Sequence, residues 1–240
     1  MPLATAQRTA ALPAADAGVQ LAPVVRGKTL GDQAYTSLRD ALASGALPPG
    51  HRLTVRGLVD LLGIGFTPAR EALNRLAAEG CLESGQGRGL FVPSLTLARY
   101  EESFTIRMAL EPMAATAALP HLSDADIDAL VGIQDSLLAA KKRKDYVTVL
   151  ARNREFHFSI YRQCAMPTLL AILDSLYLQT GPTLRLLYPR YEREWKGGIN
   201  HAAVLDALRA RDARSLVKAI RQDLRDGRAH LSEQLRQQEA

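Results

Sequence analysis

Four polar residues interrupt apolar helical stripes in the C-terminal half of the chain, and their types suit metal chemistry. Near residues 145–164 the stripe runs Leu150, Asn153, His157, Ile160, Cys164, which puts an amide and an imidazole one turn apart on an inward face. Further on, His201 aligns with Leu205 and Leu208, and in the last helical stretch Asp223 aligns with Leu216, Ile220, Gly227 and Leu231. A polar group facing a core costs free energy unless it finds partners, so three helices presenting Asn, His, His and Asp to one interior point to a shared site. Two imidazoles, a carboxylate and an amide oxygen make a donor set for a divalent metal of zinc, nickel or manganese type, with positions left for water or an anion. The spacing alone also fits a plainer arrangement, in which each is a separately hydrogen-bonded core residue. A metal-dependent hydrolase, with His157, His201 and Asp223 activating water, is a third reading, but no separate general acid or base motif accompanies them.

A second group, Arg56, Thr67, Arg70 and Arg88, lies between Thr54 and Val92, in TVRGLVDLLGIGFTPAREALNRLAAEGCLESGQGRGLFV. A helix fits the B-form major groove, its first turn presents N–H groups and side chains to phosphates and base edges, and arginine pairs with guanine in bidentate fashion. The stretch predicts the scaffold for such contacts, a winged helix-turn-helix. Thr54 is an N-cap residue for a short helix with Leu58, Val59, Leu61 and Leu62 as its buried side, stopped by Gly63. Thr67 as N-cap and Pro68 at the first helical position start a second helix. Its stripe of Ala69, Ala72, Leu73, Leu76 and Ala77 leaves Arg70, Asn74 and Arg75 pointing elsewhere, and Gly80 ends it. Cys81 to Ser84 and Leu90 to Pro93 read as a hairpin with the glycine-rich tip GQGRG. The same arrangement also serves as a helical protein-interaction module, in which these arginines would be ordinary solvated residues.

The remaining elements follow from breakers. Residues 1–27, rich in alanine and proline, read as a disordered N-terminal tail. Leu30, Ala34, Leu38, Ala41 and Leu42 mark a first helix, ended by Gly45 and the LPPG turn. Beyond a short linker at Pro93 to Thr96 the period is helical throughout, with breaks at Pro120, Lys144, Pro167, Pro189 and Arg211 to Asp212. The expected fold is mainly α, a winged helix-turn-helix over residues 28–93 followed by an all-helical bundle of about six helices over 94–240. The formal charge is +5 and the pI near 9.4, yet residues 1–95 hold 9 Lys and Arg against 7 Asp and Glu, and 96–240 hold 21 against 18. Contact with a polyanion must therefore come from placement rather than bulk charge. Two cysteines in apolar settings and the lack of a signal-type or membrane-spanning run predict a cytoplasmic protein.

These motifs carry a resemblance. The segment from Leu38 to Pro93, with SGALPPG, TPAREAL and GRGLFV, resembles the DNA-binding domain of GntR-family bacterial transcription regulators. By that resemblance Arg56, Thr67, Arg70, Gly87, Arg88 and Gly89 match positions that touch DNA. The family usually carries an arginine just before the Thr-Pro, where this chain has Phe66, which implies an altered or more weakly bound operator. The region from about Thr96 to Ala240 is similar to the all-helical FCD effector domain of the FadR-like subfamily through IRMALEPMAA, NREFHFSIY and NHAAVLDALRARD. Many members hold a divalent metal through an Asp or Asn four residues before a His, a second His, and a third His one helix further on. Asn153, His157 and His201 match the first three, and Asp223 stands where the third His is expected. That departure implies either altered metal preference or a metal-free polar pocket. Arg107 matches a position facing the effector, with a structural ion pair to Glu111 as the alternative, and Arg185, Tyr188 and Arg190 in TLRLLYPRY would complete the pocket. The resemblance implies a homodimeric regulator on a near-palindromic double-stranded operator, a repressor released by a small carboxylate.

Overall fold

The computed structural model describes residues 29–85, 89–188 and 196–239. The expected tail, the hairpin-tip residues Gly87 and Arg88, and Arg190 lie outside them. Helix α1 (Leu30–Ala43) opens on Thr29, whose hydroxyl accepts the Asp32 N–H at 3.1 Å. Strand β1 (Arg52–Leu53) then leads to α2 (Val55–Leu62), α3 (Phe66–Ala78) and the strands β2 (Glu83–Ser84) and β3 (Leu90–Phe91). Thr54 caps α2 by accepting the Gly57 N–H at 3.0 Å, and Gly63 closes it in the left-handed region at φ 64°. Leu58 is the fully buried residue of α2, with Val59, Leu61 and Leu62 half-buried. Ala69, Ala72, Leu73 and Leu76 of α3 join Ala34, Leu38 and Leu42 of α1 in one core.

Two local expectations are corrected. Thr67 is not the N-cap of α3: Gly65 holds that position in extended conformation, and the first helical bond runs from the Ala69 N–H to the Gly65 carbonyl. Proline is tolerated anywhere among the first four residues, whose N–H groups have no partner within the helix, so Pro68 marks the first turn without fixing its first residue. The sheet also has a third strand. The order is β1-β3-β2, antiparallel, with Arg52 opposite Phe91 and Glu83 also opposite Phe91.

Among the described residues, helices α4 (Leu97–Ala118), α5 (Asp124–Lys142), α6 (Tyr146–Tyr161), α7 (Pro167–Leu184), α8 (Gly197–Arg209) and α9 (Ala213–Glu239) form the C-terminal part. Thr96, Ser123 and Asp145 cap α4, α5 and α6, and Lys144 and Arg211 turn the chain at positive φ where breaks are expected. Helix α4 packs along α9, α5 against α6, and α8 against α9, around a core with Phe156, Ile160, Tyr161, Leu173, Leu208 and Ile220. Among the described residues no helix is long and apolar enough to cross a membrane.

The two parts meet where α1 lies on α7. Leu178 of α7 belongs to the N-terminal core, and Asp174 of α7 takes both Arg39 of α1 and Arg154 of α6. Gly181 sets the approach: a Cβ there would stand 2.5 Å from the Leu42 carbonyl oxygen and 2.8 Å from the Ala43 Cα, both backbone atoms that cannot swing aside. Gly181→Ala is expected to cost about 1–3 kcal/mol, the usual penalty of overpacking, as a lowered denaturant midpoint. Gly132→Ala on the open face of α5 meets nothing within 4 Å and should stabilise by about 1 kcal/mol through helix propensity. Equal effects from the two would show that the α1–α7 contact is not sterically set.

Candidate functional site

Each C-terminal helix contributes to one interior site. Helix α6 supplies Asn153 and His157, α8 Asn200 and His201, α9 Asp223, α4 Arg107 and Glu111, α5 Gln134, and α7 Tyr177. His157 Nε2 lies 3.1 Å from Asp223 Oδ2 and 3.3 Å from His201 Nε2, and ligand atoms of all three residues fall within 4.8 Å of one another. Both imidazoles are buried, with Phe156 stacked on His201 at 4.0 Å between ring centroids. Asn153 lines the same cavity, of about 90 Å³, together with Arg107, His157, Tyr188, Asn200 and Asp223.

The hydrogen bonds behind the imidazoles decide what their inner nitrogens offer. His201 Nδ1 sits 2.5 Å from Gln134 Oε1, an amide oxygen that only accepts, so Nδ1 carries the proton and Nε2 keeps its lone pair. The Tyr161 hydroxyl donates to Glu111 Oε2 at 2.7 Å, which leaves its oxygen to accept from His157 Nδ1 at 3.4 Å and frees His157 Nε2 likewise. Two lone pairs beside a carboxylate repel one another unless a cation or a proton stands between them. The donor set therefore fits a divalent metal held by His157, His201 and Asp223, with outer partners of the kind that orient metal-binding histidines.

Burial drives the His201 imidazole down to about 3, outweighing the pull of Asp223. In the metal-free site, burial pushes Asp223 up, but a proton held between His157 Nε2 and the carboxylate, with the two imidazoles beside it, outweighs that and holds the carboxyl at about 2. Both folded values lie below the ordinary ones of 6.5 and 3.8, so the unfolded chain takes up protons first as pH falls. Stability from His201 is complete above pH 6.5 and is lost as pH falls from there toward 3; that from Asp223 is lost between 3.8 and 2. In metal-stripped protein we expect unfolding free energy to drop below pH 6.5 by up to about 1.4 kcal/mol per pH unit more than in His201→Gln. Matching pH profiles for the two proteins would contradict this assignment.

Arg107 forms the ion pair with Glu111 and also reaches the cavity. Its Nε donates to Glu111 Oε1 at 2.6 Å and its guanidinium lies over the Tyr177 ring at 4.1 Å, while the side chain also lines the cavity. Burial works against its charge, but the fully enclosed Glu111 outweighs that and keeps it protonated well beyond the usual range. Tyr188 lines the cavity and stacks on Tyr146 at 4.5 Å. Arg185 does not line it: its guanidinium is over the Tyr146 ring at 5.4 Å, and its Cβ stands against Gly45 in the turn after α1. Gln134 was not anticipated from the sequence, yet it interrupts the stripe Ile127, Leu130, Leu137 just as His157 interrupts its own.

At the other end of the molecule, Arg56 is exposed beside Asp60, and Phe66, Thr67 and Arg70 stand exposed on the first turns of α3. Gly89 enters β3 at φ 138°, a conformation open to glycine. Arg75 is structural, pairing with Asp32 at 2.8 Å and lying over the Tyr35 ring, which ties α3 to α1.

Residues 30–92 match the gntR family of bacterial regulatory proteins and residues 102–226 match the FCD domain. The HTH-type transcriptional regulator McbR of Escherichia coli strain K12 is 33% identical over 182 residues, covering 75% of this chain and 82% of McbR. The solved structure of E. coli McbR/YncC superposes with a TM-score of 0.80 over 87% of this chain and 99% of that one, at 29% identity. A probable D-xylose utilization operon transcriptional repressor of Paenarthrobacter nicotinovorans is 28% identical over 71% of this chain and 75% of its own length. These relatives are transcription regulators rather than enzymes, which sets aside the hydrolase reading of His157, His201 and Asp223.

Proposed function

This chain belongs to the GntR family of bacterial regulatory proteins, in the FadR-like group whose helix-turn-helix precedes an FCD domain, and from that premise we propose a metal-dependent, acid-responsive repressor. DNA binding and transcription regulation come with the family. In our reading residues 28–93 read the operator through Arg56, Thr67, Arg70 and the wing residues Gly87, Arg88 and Gly89, and residues 94–240 bind effector and dimerise in the cytoplasm. The observation that carries the proposal is one cavity lined by His157, Asp223 and Arg107, with His201 Nε2 3.3 Å from His157 Nε2 to complete a donor set. His157, His201 and Asp223 would hold the metal, with Asn153 at the cavity wall, and the metal would supply a Lewis-acidic anchor for a carboxylate. Arg107 offers the acid a second, forked anchor, and Tyr188 closes over it.

A homodimer on a near-palindromic operator fits an exposed apolar strip on α4, where Ile106 and the half-open Met113 stand seven residues apart. Repression accords with the description of the Paenarthrobacter relative as a probable transcriptional repressor. The test is operator affinity by fluorescence anisotropy, with zinc, nickel or manganese and a panel of small carboxylates. One acid should weaken binding by roughly 5- to 150-fold, the usual span of allosteric coupling, and Arg107→Ala should lose the response. An acid that tightens operator binding would make the protein an activator or co-repressed; an effect that persists in Arg107→Ala would remove that residue from the site.

A further inference from the structure

The recognition helix begins with an exposed phenylalanine whose position neither the core nor the helix itself explains. Phe66 is the first residue of α3 and 51% of its surface is open. Aromatic residues gain nothing in helix propensity at such a place. Four and eight residues on, Arg70 and Asn74 are exposed on the same strip of the helix, and Thr67 beside them faces the same open side. The strip thus carries an apolar ring, a guanidinium and an amide, one turn apart from each other. In a major groove those three chemistries have distinct complements: the thymine C5-methyl, the guanine O6 and N7 pair, and the adenine N6 and N7 pair. Phosphates call for a cation or a donor, which a phenyl ring cannot provide. Base faces are stacked inside a duplex, so the thymine methyl is the apolar group within reach of the ring.

We infer that Phe66 is a specificity-determining residue, which seats its ring against the C5-methyl of a thymine in the operator's major groove. The inference rests on the DNA-reading role of α3 and adds to it one base and one atom. It also explains why a large apolar side chain stands in water beside polar neighbours: its partner is the nucleic acid rather than the fold.

The test uses the full chain, an operator selected from random duplex DNA, and anisotropy titrations in which uracil replaces each thymine in turn, removing only the methyl. We expect one thymine at which uracil weakens wild-type binding about fourfold, the worth of one buried methyl. Phe66→Ala, which should fold normally because the side chain is exposed, is expected to bind the thymine and uracil operators equally. Phe66→Arg should move the preference at that position from thymine toward guanine. Uracil tolerated at every position, or a Phe66→Ala protein that still prefers thymine, would overturn the inference while leaving DNA recognition intact. If no operator can be selected at all, the DNA-reading role of α3 fails and this inference with it; weakened operator binding in Arg70→Ala, with the uracil effect retained, supports both.

Discussion

Replacing Glu111 with alanine is expected to lower the stability of the fold by about 3–5 kcal/mol, the cost of leaving a buried charge without its partner. Glu111 is wholly enclosed and serves three donors: Arg107 Nε at 2.6 Å, the Tyr161 hydroxyl at 2.7 Å and the Tyr177 hydroxyl at 3.3 Å. Burial and the neighbouring Glu111 charge push Tyr161 well above the ordinary tyrosine range, so the hydroxyl stays protonated and must donate somewhere. Without the carboxylate, Arg107 keeps its charge in a largely closed site and two phenols lose their acceptor. Glu111→Gln retains the shape but not the charge and should fall between the two. The double replacement Arg107→Met with Glu111→Leu should recover much of the loss, because removing both charges is far cheaper than stranding one. Chemical denaturation of the wild type and these three variants measures the differences. A loss below about 1 kcal/mol for Glu111→Ala would mean that solvent reaches Arg107 and that the site is not closed.

Much of this fold could be read from the chain because its signals are local. Thr54, Gly63, Gly80, Lys144 and Arg211 act through their own backbone geometry or a partner three residues away, so the boundaries of α2, α5 and α9 follow from the residues themselves. Strand β1 escaped because two residues, Arg52 and Leu53, carry no periodicity, and its pairing with β3 is set by a segment nearly forty positions on. The start of α3 slipped because Pro68 is compatible with several first-turn positions. At the site, Asn153, His157, His201 and Asp223 were visible as interruptions of apolar stripes, and the Arg107–Glu111 pair as neighbours one turn apart. What joins them was not. Tyr161 and Tyr177 reach Glu111 across 50 and 66 residues of chain, and no spacing rule relates positions on different helices. The direction of Arg185 likewise depends on α1 lying against α7, which local sequence does not encode.

The second large effect concerns the metal. Metal-stripped protein given a divalent metal at about 100 times its Kd is expected to gain roughly 2.7 kcal/mol of unfolding free energy, seen as a rise in Tm. His157→Ala, His201→Ala and Asp223→Ala should each abolish the gain, since each removes one of three donors that converge within 4.8 Å. The response should depend on pH, because each donor must be deprotonated to hold the metal. Gln134 provides a finer test. It touches the site only through His201 Nδ1, so Gln134→Leu leaves every donor in place but releases the tautomer that turns Nε2 inward. Outer partners of this kind are worth about 10- to 100-fold in metal affinity, and a loss of that size in place of the complete loss seen on removing a donor would identify orientation rather than ligation as its role. If zinc, nickel and manganese all leave the Tm unmoved in the intact protein, the two imidazoles and Asp223 share a proton instead, and the cavity is a metal-free polar pocket in which Arg107 alone would anchor an acid.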